Sequence, residues 1–147
     1  MVIARVVLGE RMQRRLCVDA AAISQFARLC GDQNPIHHDA AHAGRTRFGK
    51  VVMSGPQLAG LLMGLSATHF SQPGPNGPRA MLGLDFRFRF QRAVLADECI
   101  DLRWDVVAIR RKESLGGEVA FLAGNVCNAA GEHAVKAVGK VLVRDTL

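Results

Sequence analysis

Several patterns that define other classes of protein are missing from this chain of 147 residues. It has no uninterrupted apolar run of roughly 18 residues, so we expect no transmembrane helix and no membrane partner. The apolar start, residues 2–8, is broken by Arg5 and is too short for the apolar part of a signal peptide. We also see no internal repeat. The sequence therefore predicts one domain over residues 1–147, large enough to bury a proper core.

The cysteines lack the close spacing of a metal-binding or redox motif. No C-x-x-C pair occurs, and the four thiols are widely scattered along the chain, at Cys17, Cys30, Cys99 and Cys127. This pattern favours reduced thiols in a cytoplasmic protein over a disulfide framework or a zinc site.

The charge is unbalanced, with a formal net value of +6. An excess of this sign favours an anionic partner, which leaves phosphorylated cofactors, acidic carrier proteins and nucleic acid open. Nucleic acid is the weaker interpretation, because aromatic residues do not interleave with the exposed basic ones. The basic residues most simply form a solvated face, in which some could meet phosphate groups; they are Arg87, Arg89, Arg92, Arg110, Arg111 and Lys112.

The segment 31–39 reads G-D-Q-N-P-I-H-H-D and contains a carboxylate and an imidazole five residues apart, Asp32 and His37. Such a pair can hold one water, remove a proton from it and deliver a proton elsewhere without a metal. Pro35 restricts its own backbone and pushes Asn34 toward an extended conformation, so the chain turns between the two side chains. The alternative is a capping aspartate beside a solvated loop histidine.

Helix signals dominate the first half. Asp19 is a good N-cap for a helix that Gly31 can end, and Asp39 can cap a short helix through about Thr46. The run Ser54-Gly55-Pro56 predicts a third helix start, with the Ser54 hydroxyl as cap. The residues that follow are apolar nearly all round, which predicts a helix buried on all sides.

Strand signals dominate the second half. After a loop over residues 71–78, apolar side chains alternate with polar ones in segments 84–91 and 100–106. Two more strands, Glu118–Asn128 and His133–Arg144, are predicted as a hairpin, and residues 2–8 and 16–18 are weaker candidates. Phe86, Phe88 and Phe90 should cover the central helix. The order of elements predicts an α+β domain in which an antiparallel sheet wraps a long central helix.

The residues quoted above resemble the signature of the MaoC-like, (R)-specific enoyl-CoA hydratases. The likeness includes the G-D-x-N-P-x-H core, Ala43, Thr46 and Phe48-Gly49, the stretch 86–97, and the end of the chain from Gly131 to Val141. It implies a single hotdog fold, in which an antiparallel sheet wraps a long apolar helix. It also implies action on an acyl-CoA or acyl-carrier-protein thioester in fatty acid metabolism, with coenzyme A as part of the substrate and no other cofactor.

The resemblance also implies roles for individual residues. Asp32 and His37 match the catalytic pair that activates water for syn addition to a trans-2-enoyl thioester. Asn34 matches the residue that shapes the turn between them. Gly55 matches the glycine whose N–H, at the helix start, points at the thioester carbonyl, where negative charge develops.

Two positions depart from the resemblance and bear on the substrate. Relatives commonly carry histidine where this chain has Ser54, and a serine near the active site where it has Met63. We expect the oxyanion donor to survive beside Ser54. Met63 affects either the support of the catalytic water or the acyl-chain preference. Arg87 and Arg89 are further candidates for substrate binding.

Other functions remain as alternatives. A hotdog thioesterase usually needs a carboxylate on or near the central helix, and residues 55–70 contain none. A non-catalytic acyl-thioester-binding subunit is consistent with Ser54 and Met63. A metal site at His37, His38, Asp39 and His42 is disfavoured, because no second ligand group of matching spacing follows and Asp39 serves better as a cap. The exposed sheet edge and helix flank of one hotdog predict at least a homodimer.

Overall fold

The computed structural model describes residues 3–147 as five strands and three α-helices. In chain order the elements are β1 (Arg11–Cys17), α1 (Ala20–Leu29), a 3-10 turn (Pro35–His37), α2 (Ala40–Gly44), α3 (Gly55–Phe70), β2 (Ala80–Phe90), β3 (Cys99–Lys112), a second 3-10 turn (Glu113–Leu115), β4 (Gly117–Cys127) and β5 (His133–Arg144). All neighbouring strands are antiparallel, in the order β1-β3-β4-β5-β2. The predicted α+β hotdog is confirmed.

Most predicted element boundaries agree with the structure. The Asp19 carboxylate accepts a hydrogen bond from the Ala22 N–H and so caps α1, and the hairpin between β4 and β5 turns where expected. The candidate strand at residues 2–8 is wrong for residues 3–8, which form no strand, and Val2 lies outside the described residues. No helix within residues 3–147 is long and apolar enough to cross a membrane.

One face of α3 forms the centre of the core. Leu58, Leu62 and Phe70 are almost fully buried on this face, and the carbonyl of Leu62 accepts a 2.7 Å hydrogen bond from the indole N–H of Trp104 on β3. Trp104 is itself fully buried, so the indole donor needs a protein partner, and the helix carbonyl supplies it.

The prediction that α3 is buried on all sides is wrong for this chain. Its other face, which carries Gly60, Met63, Gly64 and Ala67, is exposed. The sheet of a single chain covers only one side of the helix, so an apolar composition all round did not mean burial all round. Small residues dominate the uncovered side.

The phenylalanine stripe on β2 lies on the inner face of the sheet, as expected. Phe86 packs edge-on against Trp104 with ring centroids 6.0 Å apart, and Phe88 stacks between Phe86 and Phe90. Phe90 is nevertheless 52% exposed, because it lies at the end of β2 over the first residue of α3, Gly55. Its ring therefore covers the helix start and not the helix centre.

Glycines in the sheet make room for these large rings. A Cβ on Gly124 would overlap the Trp104 ring, and a Cβ on Gly139 would come within 2.7 Å of Phe86. The backbone conformation of Gly124 is ordinary, so the requirement for glycine there is steric.

The prediction of four reduced thiols is wrong for one pair. Cys17 and Cys99 are direct partners in the β1–β3 ladder and form a disulfide across 82 residues of sequence. Cys30 and Cys127 are free, as expected. Sequence spacing could not reveal the pair, because the register that joins the two strands is a property of the folded sheet.

A cluster of largely buried polar side chains, Glu10, His69 and Arg79, lies at the C-terminal end of α3. The Glu10 carboxylate accepts hydrogen bonds of 2.6 Å from His69 on α3 and from Arg79, whose side chain is only 3% exposed. Burial by itself raises the pKa of the Glu10 carboxyl, but the hydrogen bonds from Arg79, the Val7 N–H and His69 outweigh it and hold that pKa below its ordinary value of 4.5. The ionised carboxylate is therefore favoured by folding.

Substituting Glu10→Gln should destabilise the protein by about 3 kcal/mol at neutral pH, because it leaves the buried Arg79 cation without a counter-charge. A lowered pKa contributes stability that is complete above the ordinary value of 4.5 and is lost as the pH falls through the folded value. The difference in free energy of unfolding between wild type and variant, measured with urea, should therefore become smaller as the pH is lowered. Glu132→Gln, which breaks the exposed pair with Arg92, is the control and should cost less than about 1 kcal/mol. Equal losses in the two variants would contradict the prediction.

Substituting Gly124→Ala should destabilise the protein by roughly 1–3 kcal/mol, since the added methyl group overlaps the buried Trp104 ring. Gly44→Ala adds the same methyl group on α2, where nothing lies within 4 Å, and should be neutral or slightly stabilising. Thermal unfolding of both variants and the near-ultraviolet signal of the single tryptophan provide the measurement. An unchanged midpoint for Gly124→Ala would show that the ring has room to move.

Candidate active site

Asp32 follows the end of α1 in a well-defined helix stop. Gly31 has a left-handed backbone (φ 72°), and its N–H bonds to the carbonyl of Arg28 while the Asp32 N–H bonds to that of Ala27. This pair of bonds is the Schellman arrangement, which favours glycine at the left-handed position. The backbone of Asp32 is thereby attached to the last turn of α1.

The turn that follows directs the Asp32 side chain. One carboxylate oxygen of Asp32 (Oδ1) accepts the N–H of Asn34 at 2.9 Å, and the side-chain oxygen of Asn34 accepts the N–H of Ile36 at 3.2 Å. Pro35 then begins the 3-10 turn that ends at His37. With Oδ1 occupied by the backbone, Oδ2 of Asp32 is left for other partners.

The imidazole of His37 is buried, and one of its nitrogens is hydrogen-bonded to the protein backbone. Its Nδ1 lies 2.6 Å from the carbonyl oxygen of Val52. A carbonyl can only accept, so Nδ1 carries a proton and Nε2 faces the other way. Val52 is itself placed by a bridge to Leu95 and by the bond from its N–H to the carbonyl of Ile36.

The two side chains face each other at 3.4 Å, measured from Nε2 of His37 to Oδ2 of Asp32. The aspartate side chain is 34% exposed and the imidazole 11%, so the pair lies at the edge of the protein with access from solvent. When the ring is neutral, both facing atoms are acceptors, and a water can donate one O–H to each. When the ring is protonated, Nε2–H can donate to the carboxylate directly. Both states suit proton transfer to and from a small molecule.

A free N–H lies at the start of α3. Pro56 has no N–H, and the N–H groups of Gln57 and Leu58 both bond to the carbonyl of Ser54. Among the described residues, the N–H of Gly55 has no backbone acceptor, so it is the available donor of the first turn. It also lies at the positive end of the helix dipole.

The predicted cap at Ser54 is wrong in one respect. Ser54 occupies the N-cap position, but its hydroxyl makes no capping hydrogen bond and is buried without a partner among the residues that the structure describes. Within the same residues, the side-chain oxygen of Gln57, three positions on, is also buried without a partner. Sequence reasoning missed Gln57, although the S-x-x-Q spacing of a capping box was its signal. Two polar groups are thus left over beside the free N–H of Gly55.

The structure places the remaining candidates, Met63, Arg87 and Arg89, on exposed surfaces. Met63 lies on the exposed face of α3 and is 39% exposed. Arg87 and Arg89 alternate with the inward-facing phenylalanines and so point to the outer face of the sheet, where they line a hollow of about 520 Å³ with Arg103, Asn125 and Lys136. Within one chain they are therefore on the side of the sheet opposite to α3.

The histidine-rich segment is not assembled as a metal centre. No group of three or more His, Cys, Asp or Glu side chains within residues 3–147 has metal-binding geometry. The Asp39 carboxylate instead caps α2 by accepting the N–H of His42, and this bond is the main reason that the pKa of Asp39 lies below its ordinary value.

A five-stranded antiparallel sheet packed on one long helix defines a hotdog protein. In this chain an Asp–His pair is hydrogen-bonded to the segment that leads into that helix. The chain belongs to the MaoC-like domain family, whose pattern it matches over residues 7–138. The matched range includes the segment that contains Asp32, Asn34 and His37.

Known relatives cover most of the chain at low identity. The (R)-specific enoyl-CoA hydratase of Aeromonas caviae is 28% identical over 131 residues, covering 88% of this chain and 93% of the enzyme. A UPF0336 protein of Thermobifida fusca is 27% identical over 135 residues, covering 86% of this chain and 83% of its own. The solved structure of the (R)-hydratase from A. caviae involved in PHA biosynthesis superposes with a TM-score of 0.80 at 25% identity, covering 92% of this chain and 96% of the other.

Proposed function

We propose that this protein is an (R)-specific enoyl-thioester hydratase, which adds water to a trans-2-enoyl-CoA to give an (R)-3-hydroxyacyl-CoA, or catalyses the reverse dehydration. The observation that carries the proposal is the opposition of Asp32 Oδ2 and His37 Nε2 at 3.4 Å, with the far side of the imidazole fixed by Val52. The hydratase of A. caviae supports the choice of substrate class.

In the proposed reaction, Asp32 is the base and His37 the acid. Ionised Asp32 removes a proton from the water as its oxygen attacks C3, and the double-bond electrons move toward the thioester oxygen. Protonated His37 then delivers its Nε2 proton to C2. Because the two facing groups would hold the same water, they can deliver the hydroxyl group and the proton to the same face of the double bond. The Val52 carbonyl stabilises the imidazolium because it accepts from Nδ1–H.

The negative charge on the thioester oxygen needs a donor already in place. The free N–H of Gly55, at the start of a 16-residue helix, has the chemistry for this role. The Ser54 hydroxyl of the preceding residue is buried and has no partner among residues 3–147, and it is proposed as a second donor. Coenzyme A takes part only as the carrier of the acyl group, and the reaction needs no further cofactor.

A second copy of the chain is part of the proposal. The exposed face of α3 is apolar and rich in small residues, and the edge strand β2 exposes Leu82 and Leu84, each nearly 50% accessible. A homodimer would cover such surfaces and enclose the site, which is open in one chain. Met63, on the uncovered face, would then border the acyl chain.

The alternatives are less well supported. A hotdog thioesterase would need a carboxylate on or near α3, and this helix contains neither Asp nor Glu. A non-catalytic acyl-thioester-binding subunit agrees with Ser54 and Met63 but leaves the opposed Asp32–His37 pair without a purpose. The Cys17–Cys99 disulfide removes the argument from four reduced thiols, so a cytoplasmic location is proposed from the substrate alone, since acyl-CoA metabolism is intracellular chemistry.

Purified protein mixed with crotonyl-CoA should reduce the absorbance of the conjugated enoyl thioester. Asp32→Asn and His37→Gln should each lower turnover by at least about 100-fold, the usual contribution of a general acid or base. Asp39→Asn and His42→Gln make the same two changes on α2 and should remain within about threefold of wild type. Thiol release without hydration would identify a thioesterase, and binding without turnover the accessory subunit. Full activity in either site variant would overturn the mechanism.

Adding a methyl group at the proposed oxyanion donor should also lower activity. In Gly55→Ala the Cβ would lie 3.1 Å from the Phe90 ring, so the ring must move by a few tenths of an ångström next to the N–H that the thioester oxygen is proposed to approach. Turnover should fall by about 10-fold, because small displacements of reacting groups are costly. The reference is Gly44→Ala on α2, with initial rates and melting temperatures measured for both. Normal rates in Gly55→Ala would contradict the expectation that displacing the Phe90 ring disturbs this N–H.

A further inference from the structure

We propose that His38 and Ser24 are positioning residues, which hold Asp32 in its working orientation through a chain of hydrogen bonds from α1. This inference rests on the proposed function, because it assigns these residues to the same acid–base site. His38 directly follows the proposed acid, yet its imidazole has a different environment and different partners.

The chain of bonds has two short links. Nε2 of His38 lies 2.6 Å from the backbone carbonyl oxygen of Asp32, and Nδ1 lies 2.7 Å from the hydroxyl of Ser24. Ser24 lies within α1, and both links are partly buried. The imidazole therefore bridges the helix and the residue that follows its end.

Chemistry assigns the direction of each bond. The Asp32 carbonyl can only accept, so Nε2 of His38 must donate. In the neutral ring Nδ1 then accepts the Ser24 O–H. In the protonated ring Nδ1–H donates, and the Ser24 hydroxyl can rotate to accept it. The bridge thus persists in both protonation states of His38, which is the behaviour expected of a support that should not respond to the reaction.

The bridge completes the fixation of Asp32. The Asp32 N–H is bonded to Ala27 at the end of α1, and the carboxylate Oδ1 to Asn34. The carbonyl was the remaining polar group of Asp32 besides Oδ2, and His38 binds it. Without His38, the carbonyl oxygen of Asp32 loses the only hydrogen bond that it accepts among the described residues. Oδ2 could then move relative to Nε2 of His37.

His38 reaches Asp32 from a side of the aspartate that His37 does not share. His38 and Asp32 line an open hollow of about 340 Å³ with Arg28, Gly31 and Gln33, and His37 is not among the lining residues. The imidazole nitrogens of His38 are both occupied, so neither is left to hold substrate or water. We therefore expect an effect on turnover and not on substrate binding.

Three variants test the inference through kcat and KM with crotonyl-CoA. His38→Leu removes both bonds and should lower kcat by about 10–100-fold, the usual effect of removing an outer support, with KM within about twofold of wild type. His38→Gln retains a donor for the Asp32 carbonyl and should recover most of kcat. Ser24→Ala leaves the imidazole unrestrained on one side and should give an intermediate loss.

The control is His42→Leu, which makes the same change on α2, where the imidazole has no hydrogen bond among the described residues. It should leave kcat and KM unchanged. Melting temperatures are measured for all variants. A loss of kcat in His38→Leu without rescue by glutamine, or with an equal loss in His42→Leu, would overturn the inference. So would unchanged kcat.

An activity-independent measurement separates this inference from the proposed function. The Nε2 resonance of His37 is followed by nitrogen-detected NMR in wild type, His38→Leu and His42→Leu. If Asp32 moves, the resonance should shift in His38→Leu alone. Wild-type protein without hydratase activity would overturn the proposed function, and the positioning role would then be upheld by that shift or overturned by its absence.

Discussion

The hydrogen bond between Nδ1 of His37 and the carbonyl of Val52 joins the two halves of the candidate site. The imidazole belongs to the turn after α1, whereas Val52 precedes the start of α3 by only a few residues. The same segment is held by bonds from Met53 to Val94 and from Ala96 to Val51. The acid–base pair and the free N–H of Gly55 therefore share one rigid support, which also orients the imidazole with Nε2 outward.

The polar side chains at the two ends of α3 differ in whether they have hydrogen-bond partners. Glu10, His69 and Arg79 satisfy one another and fasten the end of α3. At the opposite end of the same helix, the Ser54 hydroxyl and the Gln57 amide oxygen are buried with no partner among residues 3–147, as is Nε of Arg144 on β5. A buried polar atom without a hydrogen bond is costly, and a ligand at the start of α3 could supply the partner that Ser54 and Gln57 lack. The contrast between the two ends of α3 agrees with a substrate at its start.

The sheet protects one side of α3 and leaves the other to solvent. Trp104, accommodated by Gly124 and bonded to the helix backbone, makes the protected side dense. The opposite side has small residues and Met63, and the edge strand β2 exposes Leu82 and Leu84. A single chain therefore has a packed core on one side of α3 but leaves the candidate site open to solvent. For this reason the proposed function includes a second copy.

Local sequence determined the parts that depend on neighbouring residues. We could predict features that follow from the backbone preferences of adjacent residues. These are the helix caps at Asp19 and Asp39, the helix end at Gly31, the Asp32–His37 turn and the alternation of the strands. Tertiary structure decided the rest. Strand register decides which cysteines meet, and so it produces the disulfide between Cys17 and Cys99. The surfaces that the sheet covers decide the rest: the outward direction of Arg87 and Arg89, the half-exposed α3 and the unused cap at Ser54. These are contacts between residues far apart in sequence, and no local pattern encodes them.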